Sequence, residues 1–466
     1  MTLNFDVAEW LTNWCHSDVG RRAFEELPTG RAAPDGVIRL RKSGLSLEQA
    51  SAVVELRELR QRAVGKFEHA SELYFTRRAY EQASGQKTTR WKVATLQQHW
   101  PSKPLVVLDL CCGIGGDLLE FGRHFPTIGL DRDPALVHLT RENLKVLGAF
   151  AERHPSLVIC ADVSSILPGN RSSSEGRPPK IENVPGNSGK TLAEWLPFLP
   201  PTVSEWARTN HLLEHTVVWH LDPDRRDTRG RHTNMTDLSP DEGFLADLLS
   251  WSGTGIVKLA PATELSDPWK AAGHWQWLGL DRECKQLLGW FGLEPSLPIG
   301  HTSVAVAQRH EFDWTFWQPL SGATTSVARS RHPLTYLFEP HPAIFAARLN
   351  HQFAAERGWL AWSGGDYYTA MEPAEPTDEM FGMFRVLDVL PFRIEKIRDW
   401  LARHQRPLVE IKSRTVAEKD WSPLARLLGG PGGQVDAAGG SGLMFSEQTA
   451  QGQALRVALC ERIVKR

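Results

Sequence analysis

Val106-Val107-Leu108-Asp109-Leu110-Cys111-Cys112-Gly113-Ile114-Gly115-Gly116-Asp117 is the stretch whose reading decides the fold. The apolar run at 105–111, broken only by Asp109 and stopped by glycines, reads as a strand buried on both faces that enters a tight turn. A helix through Leu118, Leu119 and Phe121 should follow. A carboxylate near the end of a first strand, then glycines that let a ligand reach the backbone, then a helix N-terminus, form the pattern of a nucleoside-cofactor site in a Rossmann-like sheet.

Outward from this turn, strands are expected at 126–130, 157–160, 216–221, 255–259, 282–288 and 302–307, with helices at 135–147 and 241–251. That alternation predicts an α/β protein built on a doubly wound parallel sheet. Asp131 closes the second strand 22 residues after Asp109, about where a carboxylate meets ribose hydroxyls, and Asp162 follows the third, where it can accept from an adenine amine. The glycines then narrow the ligand. A dinucleotide fingerprint wants a third glycine where Leu118 stands, and Asp109 would crowd a pyrophosphate, which is held by amides. S-adenosylmethionine is cationic and carries no phosphate, so it suits this acidic turn better.

The region 5–99 is helical in pattern, with Ala52, Val53, Leu56, Leu59 and Val64 at helical spacing. The polar run 168–190 has too little apolar surface to order itself, and 192–215 suits a helix, so 168–212 is expected to be an insertion loop, partly disordered. A composition break at 318–333 sets off an α+β region with helices at 343–357 and 394–404, strands near 385–390, 408–412 and 455–460, and a Gly-rich loop at 429–442. The expected domains are 1–100 (helical), 101–315 (cofactor-binding) and 330–466.

The 466 residues suit two or three domains, and 41% hydrophobic with 23% charged residues is ordinary globular usage. No run of 18 apolar residues and no basic leader is present, so no membrane partner is expected and the cytoplasm is the default location. Six cysteines without a CxxC suit neither a disulfide framework nor a zinc ribbon, and no metal is expected. The balance of 53 Lys+Arg against 55 Asp+Glu gives no global field for an anionic partner, which must meet a local patch. The 18 Trp are expected mostly in cores.

A second informative stretch, Val217-Val218-Trp219-His220-Leu221-Asp222-Pro223-Asp224-Arg225-Arg226-Asp227, ends the fourth expected strand. The first turn resembles motif I of class I methyltransferases, with Cys111 where the first glycine usually sits. By that resemblance Asp109, Cys111, Gly113, Gly115 and Asp117 line the cofactor, Asp131 binds its ribose and Asp162 its adenine. Asp222 and Pro223 match the acceptor-holding motif of amino-methylating members, while Asp224 and Arg225 replace its second proline and its aromatic. Arg225 and Arg226 offer guanidiniums for an acceptor phosphate, unless Asp222, Asp224 and Asp227 pair with them. His220 reads as a core histidine, and Cys111 and Cys112 read as small turn residues in preference to a thiolate nucleophile.

The chain from about 70 to 466 resembles a bacterial family of class I methyltransferases with an N-terminal helical segment and a C-terminal α+β THUMP-like domain. Supporting stretches are Tyr-Leu-Phe-Glu-Pro-His-Pro-Ala at 336–343, Val-Leu-Pro-Phe at 389–392 and Glu-Ile-Lys-Ser-Arg at 410–414. The resemblance implies an RNA substrate, tRNA or rRNA, and Lys412, Arg414 and Lys419, with Arg393, Lys396 and Arg398, are the candidate phosphate contacts, unless the interleaved acids Glu410, Glu418 and Asp420 make this a solvated mixed-charge face. Direct methyl transfer positioned by Asp222 is the expected chemistry. Methylation of a small molecule or protein, or a non-catalytic module that binds S-adenosylmethionine or RNA, are the alternatives. No obligate protein partner is implied.

Overall fold

The computed structural model describes residues 3–28, 30, 33–100, 103–149, 154–167, 189–225, 235–293, 297–308, 313–320, 326–362, 367–375, 378–406, 408–412, 440–449 and 452–463. The chain divides into two compact units, Met1–Trp275 with Gln286–His301, and Gln276–Lys285 with Thr302–Arg466.

In the first unit the N-terminal region forms helices α1 (Phe5–His16), α2 (Asp18–Glu25), α3 (Ala33–Lys42), α4 (Leu47–Ala63), α5 (Arg77–Gln82) and α6 (Gln86–His99). Side-chain caps set several of their starts: Asn4 accepts from Val7 N, and Ser46 and Gln49 form a reciprocal capping box at α4. Ala52, Val53, Leu56 and Leu59 are buried as their spacing predicts, but Val64 is 70% exposed because α4 has ended at Ala63. These helices do not fold apart from the sheet. Their core is continuous with Ile114, Leu119, Ala135, Leu139 and Leu147 from the glycine turn and the helices after it. Buried Asn143 secures the join, accepting from Tyr74 N at 2.7 Å and donating to Tyr74 O at 3.1 Å.

The sheet contains β1 (Leu105–Leu110), β2 (Thr127–Asp131), β3 (Ser156–Cys160), β4 (Thr216–Leu221) and β5 (Gly255–Leu259), parallel and ordered β3-β2-β1-β4-β5. The strand β6 (Glu283–Phe291) pairs antiparallel with β5 over 287–291. Helices α7 (Leu118–His124) and α8 (Pro134–Gly148) follow β1 and β2; Asp133 caps α8 by accepting from Ala135 N and Leu136 N, with Pro134 pre-set at its first position. The expected helix from Leu192 is two, α9 (Leu192–Trp195) and α10 (Pro201–Thr209), because Pro197, Pro200 and Pro201 cannot continue a helical ladder. A further helix, α11 (Glu242–Trp251), precedes β5. The order reverses between β1 and β4, and in such sheets ligands bind in the crevice outside the carboxyl ends at that switch point. Trp195, Trp219, Trp269, Trp275 and Trp290 are fully buried, so these indoles fill cores.

The second unit holds a seven-stranded sheet. Its strands are β7 (Tyr336–Pro340), β8 (Leu360–Trp362), β9 (Tyr367–Ala370), β10 (Phe381–Pro391), β11 (Leu408–Lys412), β12 (Gly440–Thr449) and β13 (Gly452–Ile463), ordered β8-β9-β7-β10-β13-β12-β11 and antiparallel except for β11 with β12. The helix Ile394–Arg403 packs Ile397, Trp400 and Leu401 onto Val457 and Leu459 of β13. The expected helix 343–357 is broken into Pro342–Ala346 and Asn350–Glu356, where Arg348 takes a left-handed φ of 58°. Of this sheet's strands, β7, β8, β9 and β12 escaped the sequence reading, as did His274–Leu280 and Thr315–Trp317 of the nine-stranded sheet; β12 was hidden by glycines that read as loop.

Within the first unit, Gly255 leaves room for the Trp219 indole: a Cβ there would stand 2.1 Å from its Cδ2. Gly255→Ala is therefore expected to cost about 3 kcal/mol. Calorimetric unfolding checks this, and an unchanged melting temperature would mean that the indole does not lie across that strand.

Candidate active site

Left-handed backbone builds the turn between β1 and α7: Cys111, Gly113 and Gly115 have φ of 66°, 55° and 84°. Gly115 and Gly116 are required by packing. A Cβ on Gly115 would stand 2.9 Å from Thr140 Cγ2, and one on Gly116 would stand 2.9 Å from Ala83 Cβ and 3.0 Å from Ser84 O. Gly113 is different, since a Cβ there would meet open space, which leaves its backbone open to a ligand. Thr140 Oγ1 donates to Gly113 O at 2.6 Å from α8. Asp131, at the end of β2, accepts from Gly113 N at 2.8 Å through Oδ2 and from Asp133 N at 2.9 Å through Oδ1, so its carboxylate is fixed beside the open glycine. Burial raises the Asp131 carboxyl, against the lowering effect of those two N–H donors.

The residues that flank the turn, Asp109 and Asp117, belong to a buried polar network. Asp109 and His220 are register partners on adjacent parallel strands, and His220 Nδ1 stands 2.7 Å from Asp109 Oδ1. Lys92, fully buried on α6, brings Nζ to 2.7 Å from Asp117 Oδ1 and 3.0 Å from His220 Nε2. Thr89 Oγ1 donates to the same Asp117 oxygen at 2.6 Å, and the Phe121 ring meets His220 edge to face. Burial alone would raise the Asp117 carboxyl, but Lys92, His220 and Lys258 outweigh it and hold it far below the usual carboxylate range. Burial raises the Asp109 carboxyl against the pull of His220, and the second oxygen, Oδ2, is buried without a hydrogen-bond partner. Asp117 thus faces the N-terminal helices, and His220 is a hydrogen-bonded member of the network.

Asp222 follows β4 and places Oδ2 2.5 Å from Lys258 Nζ of β5; the same ammonium donates to Gln82 O at 3.1 Å. Asp224 accepts from Gln82 Nε2 at 2.8 Å and from Arg78 Nη2 at 2.5 Å. Helix α5 therefore grips the residue that stands where the resemblance would put a second proline, which gives that departure a physical reason. Pro223 is buried beside it. Asp162, exposed after β3, accepts from Ser164 N and Oγ, and these donors hold its carboxyl low. Burial, reinforced by neighbouring acids, pushes the Cys111 and Cys112 thiols up, so neither is poised as a thiolate. The Arg225 side chain, Arg226, Arg414 and Lys419 lie outside the described residues.

In the second unit Lys412 is committed to an ion-pair cluster. It donates to Glu339 and lies 3.6 Å from Glu410, while Arg462 grips Glu410 and Arg282 reaches both acids. Burial lowers the Lys412 ammonium, with Glu339 opposing. Glu339 of the stretch 336–343 and Glu410 and Lys412 of the stretch 410–414 meet in this cluster. Among the described residues no cluster of three or more His, Cys, Asp or Glu is placed to hold a metal, and no helix is long and apolar enough to cross a membrane.

The sequence reading missed Lys92, Lys258, Arg78 and Gln82. A signal existed for Lys258: Asp109, His220 and Lys258 are each a lone charged or ionisable residue in an otherwise apolar or uncharged strand, and those strands are neighbours. Lys92 carried none, because lysines and arginines are spread through α6 and only its packing against the sheet selects this one.

No family model matches the chain, and no curated protein does. Among solved structures it is similar to a candidate methyltransferase from Porphyromonas gingivalis W83, with a TM-score of 0.61, 17% identity, and 99% of this chain and 100% of that one covered. A candidate class I S-adenosylmethionine-dependent methyltransferase from Listeria monocytogenes matches at a TM-score of 0.31 and 11% identity, over 65% of this chain and 91% of that one. The magnesium protoporphyrin IX methyltransferase of Synechocystis PCC 6803 with bound S-adenosylmethionine matches at 0.23 and 12%, over 57% and 84%. The first likeness shows a shared fold along the whole chain, and the other two add nothing to it.

Cys111 holds a backbone conformation that costs a non-glycine residue about 1 kcal/mol. Cys111→Gly relieves that strain but loosens the unfolded chain, so a small net gain, about 0.5 kcal/mol, is expected in urea unfolding. A loss of more than about 1 kcal/mol would show that the thiol's packing outweighs the strain.

Proposed function

We propose that this protein is an S-adenosylmethionine-dependent methyltransferase, and that its acceptor is RNA. The observation that carries the first part is the Asp131 carboxylate bonded to the N–H of Gly113, at a glycine whose side-chain space is open, at the sheet's switch point. Asp109 adds a buried acceptor oxygen with no protein partner, which suits a cationic ligand rich in donors and suits a pyrophosphate poorly. The full-length fold likeness to a candidate methyltransferase agrees with this reading.

Bound there, S-adenosylmethionine supplies a methyl group activated on a sulfonium. The protein's task is then positional. In this reading Asp131 accepts the ribose hydroxyls, Gly113 lets the ligand lie against the backbone, and Asp162 serves the adenine. Asp222, with Oδ2 held by Lys258, presents its other oxygen to an acceptor N–H or O–H and orients the acceptor's lone pair toward the methyl group. Pro223 stiffens the backbone that carries Asp222.

The RNA part rests on the resemblance of the C-terminal stretches to a THUMP-like domain. In that unit Arg393, Lys396, Arg398 and Arg403 are exposed on or beside the helix Ile394–Arg403, with Glu395 and Asp399 as the acids between them. That helix is a better phosphate-binding face than Lys412, whose charge is held by Glu339 and Glu410.

Two measurements test the reading. Asp131→Ala is expected to weaken S-adenosylhomocysteine binding in calorimetry about 30-fold or more, since loss of a carboxylate that accepts two hydroxyls costs about 2 to 4 kcal/mol; unchanged affinity would place the ribose elsewhere. Radiolabelled methyl offered with size-fractionated RNA, protein and metabolites from a strain lacking the gene should enter RNA, and Asp222→Ala should abolish it. Label confined to protein or metabolites would overturn the RNA acceptor, and cofactor binding without any transfer would favour a non-catalytic module.

A further inference from the structure

Lys92 carries its ammonium into the interior of the first unit with no solvent exposure. An ammonium with no solvent exposure is tolerated only when its protons are used, and its recorded partners are Asp117 at 2.7 Å and His220 at 3.0 Å. A buried ion pair by itself contributes little net stability compared with a well-packed apolar replacement, so stability alone is a weak reason to keep a lysine here. Its second contact supplies another. An ammonium has donors and no acceptor, so beside Nε2 of His220 it requires a lone pair on that nitrogen and places the ring proton on Nδ1. Nδ1–H then points at Asp109 Oδ1, 2.7 Å away on the neighbouring strand. One oxygen of Asp109 is thereby tied down, and the other is the buried, unpartnered Oδ2, two residues before the glycine turn begins.

We propose that Lys92 is a positioning residue of the cofactor site: from the N-terminal helix α6 it fixes the His220 tautomer, and through His220 it fixes the orientation of Asp109. The inference deepens the S-adenosylmethionine reading and rests on it. It makes the N-terminal helices part of the cofactor site, since without the Lys92 donor Asp117 Oδ2, 3.7 Å from Nε2, competes with Asp109 for the ring's proton. The charged groups around the relay are Asp117 at the start of α7, Asp222 after β4 and Lys258 on β5, whose fields act on Lys92, and the Cys111 and Cys112 thiols, on which the Asp109 charge acts.

The test uses the full chain. Lys92→Met keeps the volume and removes the donors; it should bind S-adenosylhomocysteine at least about tenfold more weakly in calorimetry, the effect of losing a charge-assisted hydrogen bond that orients a ligand group. Leu96→Ala, a fully buried residue one turn further along the same helix, should lower the melting temperature while leaving that affinity within about twofold. Equal losses in both variants, or wild-type affinity in Lys92→Met, would overturn the proposal. Independently of any variant's folding, nitrogen-15 NMR of the wild-type histidines, with His220 assigned by its loss in His220→Asn, should show protonated Nδ1 and an unprotonated, hydrogen-bonded Nε2. An Nε2–H signal would overturn it. If the wild type binds no S-adenosylhomocysteine, the cofactor reading itself fails, a result visible before any variant is made.

Discussion

Across the switch point of the parallel sheet, an imidazole on β4 and a carboxylate on β1 face each other at 2.7 Å with no access to water. Two polar groups at the centre of an apolar sheet must satisfy one another or cost several kcal/mol, and that constraint organises what surrounds them. It fixes the register of β1 against β4, because a slip of one residue would leave each group against a hydrocarbon neighbour. It draws Lys92 in from α6 to complete the far side of the imidazole. It also ties down Asp109, two residues before the left-handed turn of Cys111, Gly113 and Gly115.

The N-terminal helices follow from this arrangement. They share a hydrophobic core with α7 and α8, they press Ala83 and Ser84 against Gly116, and they reach the second half of the site through Arg78 and Gln82 on Asp224 and Lys258. The glycine turn and the segment after β4 are therefore both held by one stretch of chain, 78–92. Asp224 would be out of place in a motif whose only duty was to stack a base; as the anchor of α5 it has a physical purpose. Separating the helical region from the sheet domain, as composition suggests, hides this dependence.

Much of this was legible in the sequence because it is written in short-range chemistry. The apolar run ending in Asp109, the glycines that follow and the acids after successive strands led to the right sheet and turn, since parallel strands are apolar on both faces and tight turns demand glycine. Asp117 illustrates the limit. Next to the turn in sequence, it reads as a ligand contact, yet a lysine 25 residues upstream claims it. Lys412 is similar, a plausible phosphate contact until Glu339, 73 residues away, neutralises it. Pairings of charges across long sequence separations are set by tertiary packing, and no local pattern announces them. The strands of the second unit were obscured for a related reason: Trp, Tyr and Gly at 336–370 and 440–449 pack into an antiparallel sheet whose alternation is interrupted by polar and small residues.

The proposed function turns on whether the acid-held glycine turn at the switch point binds the nucleoside of S-adenosylmethionine. A crystal structure of the full chain with S-adenosylhomocysteine decides it. The nucleoside is expected over Gly113, with both ribose hydroxyls within hydrogen-bond distance of Asp131. Ligand density in any other cavity, with Asp131 still bonded only to the N–H groups of Gly113 and Asp133, would contradict it.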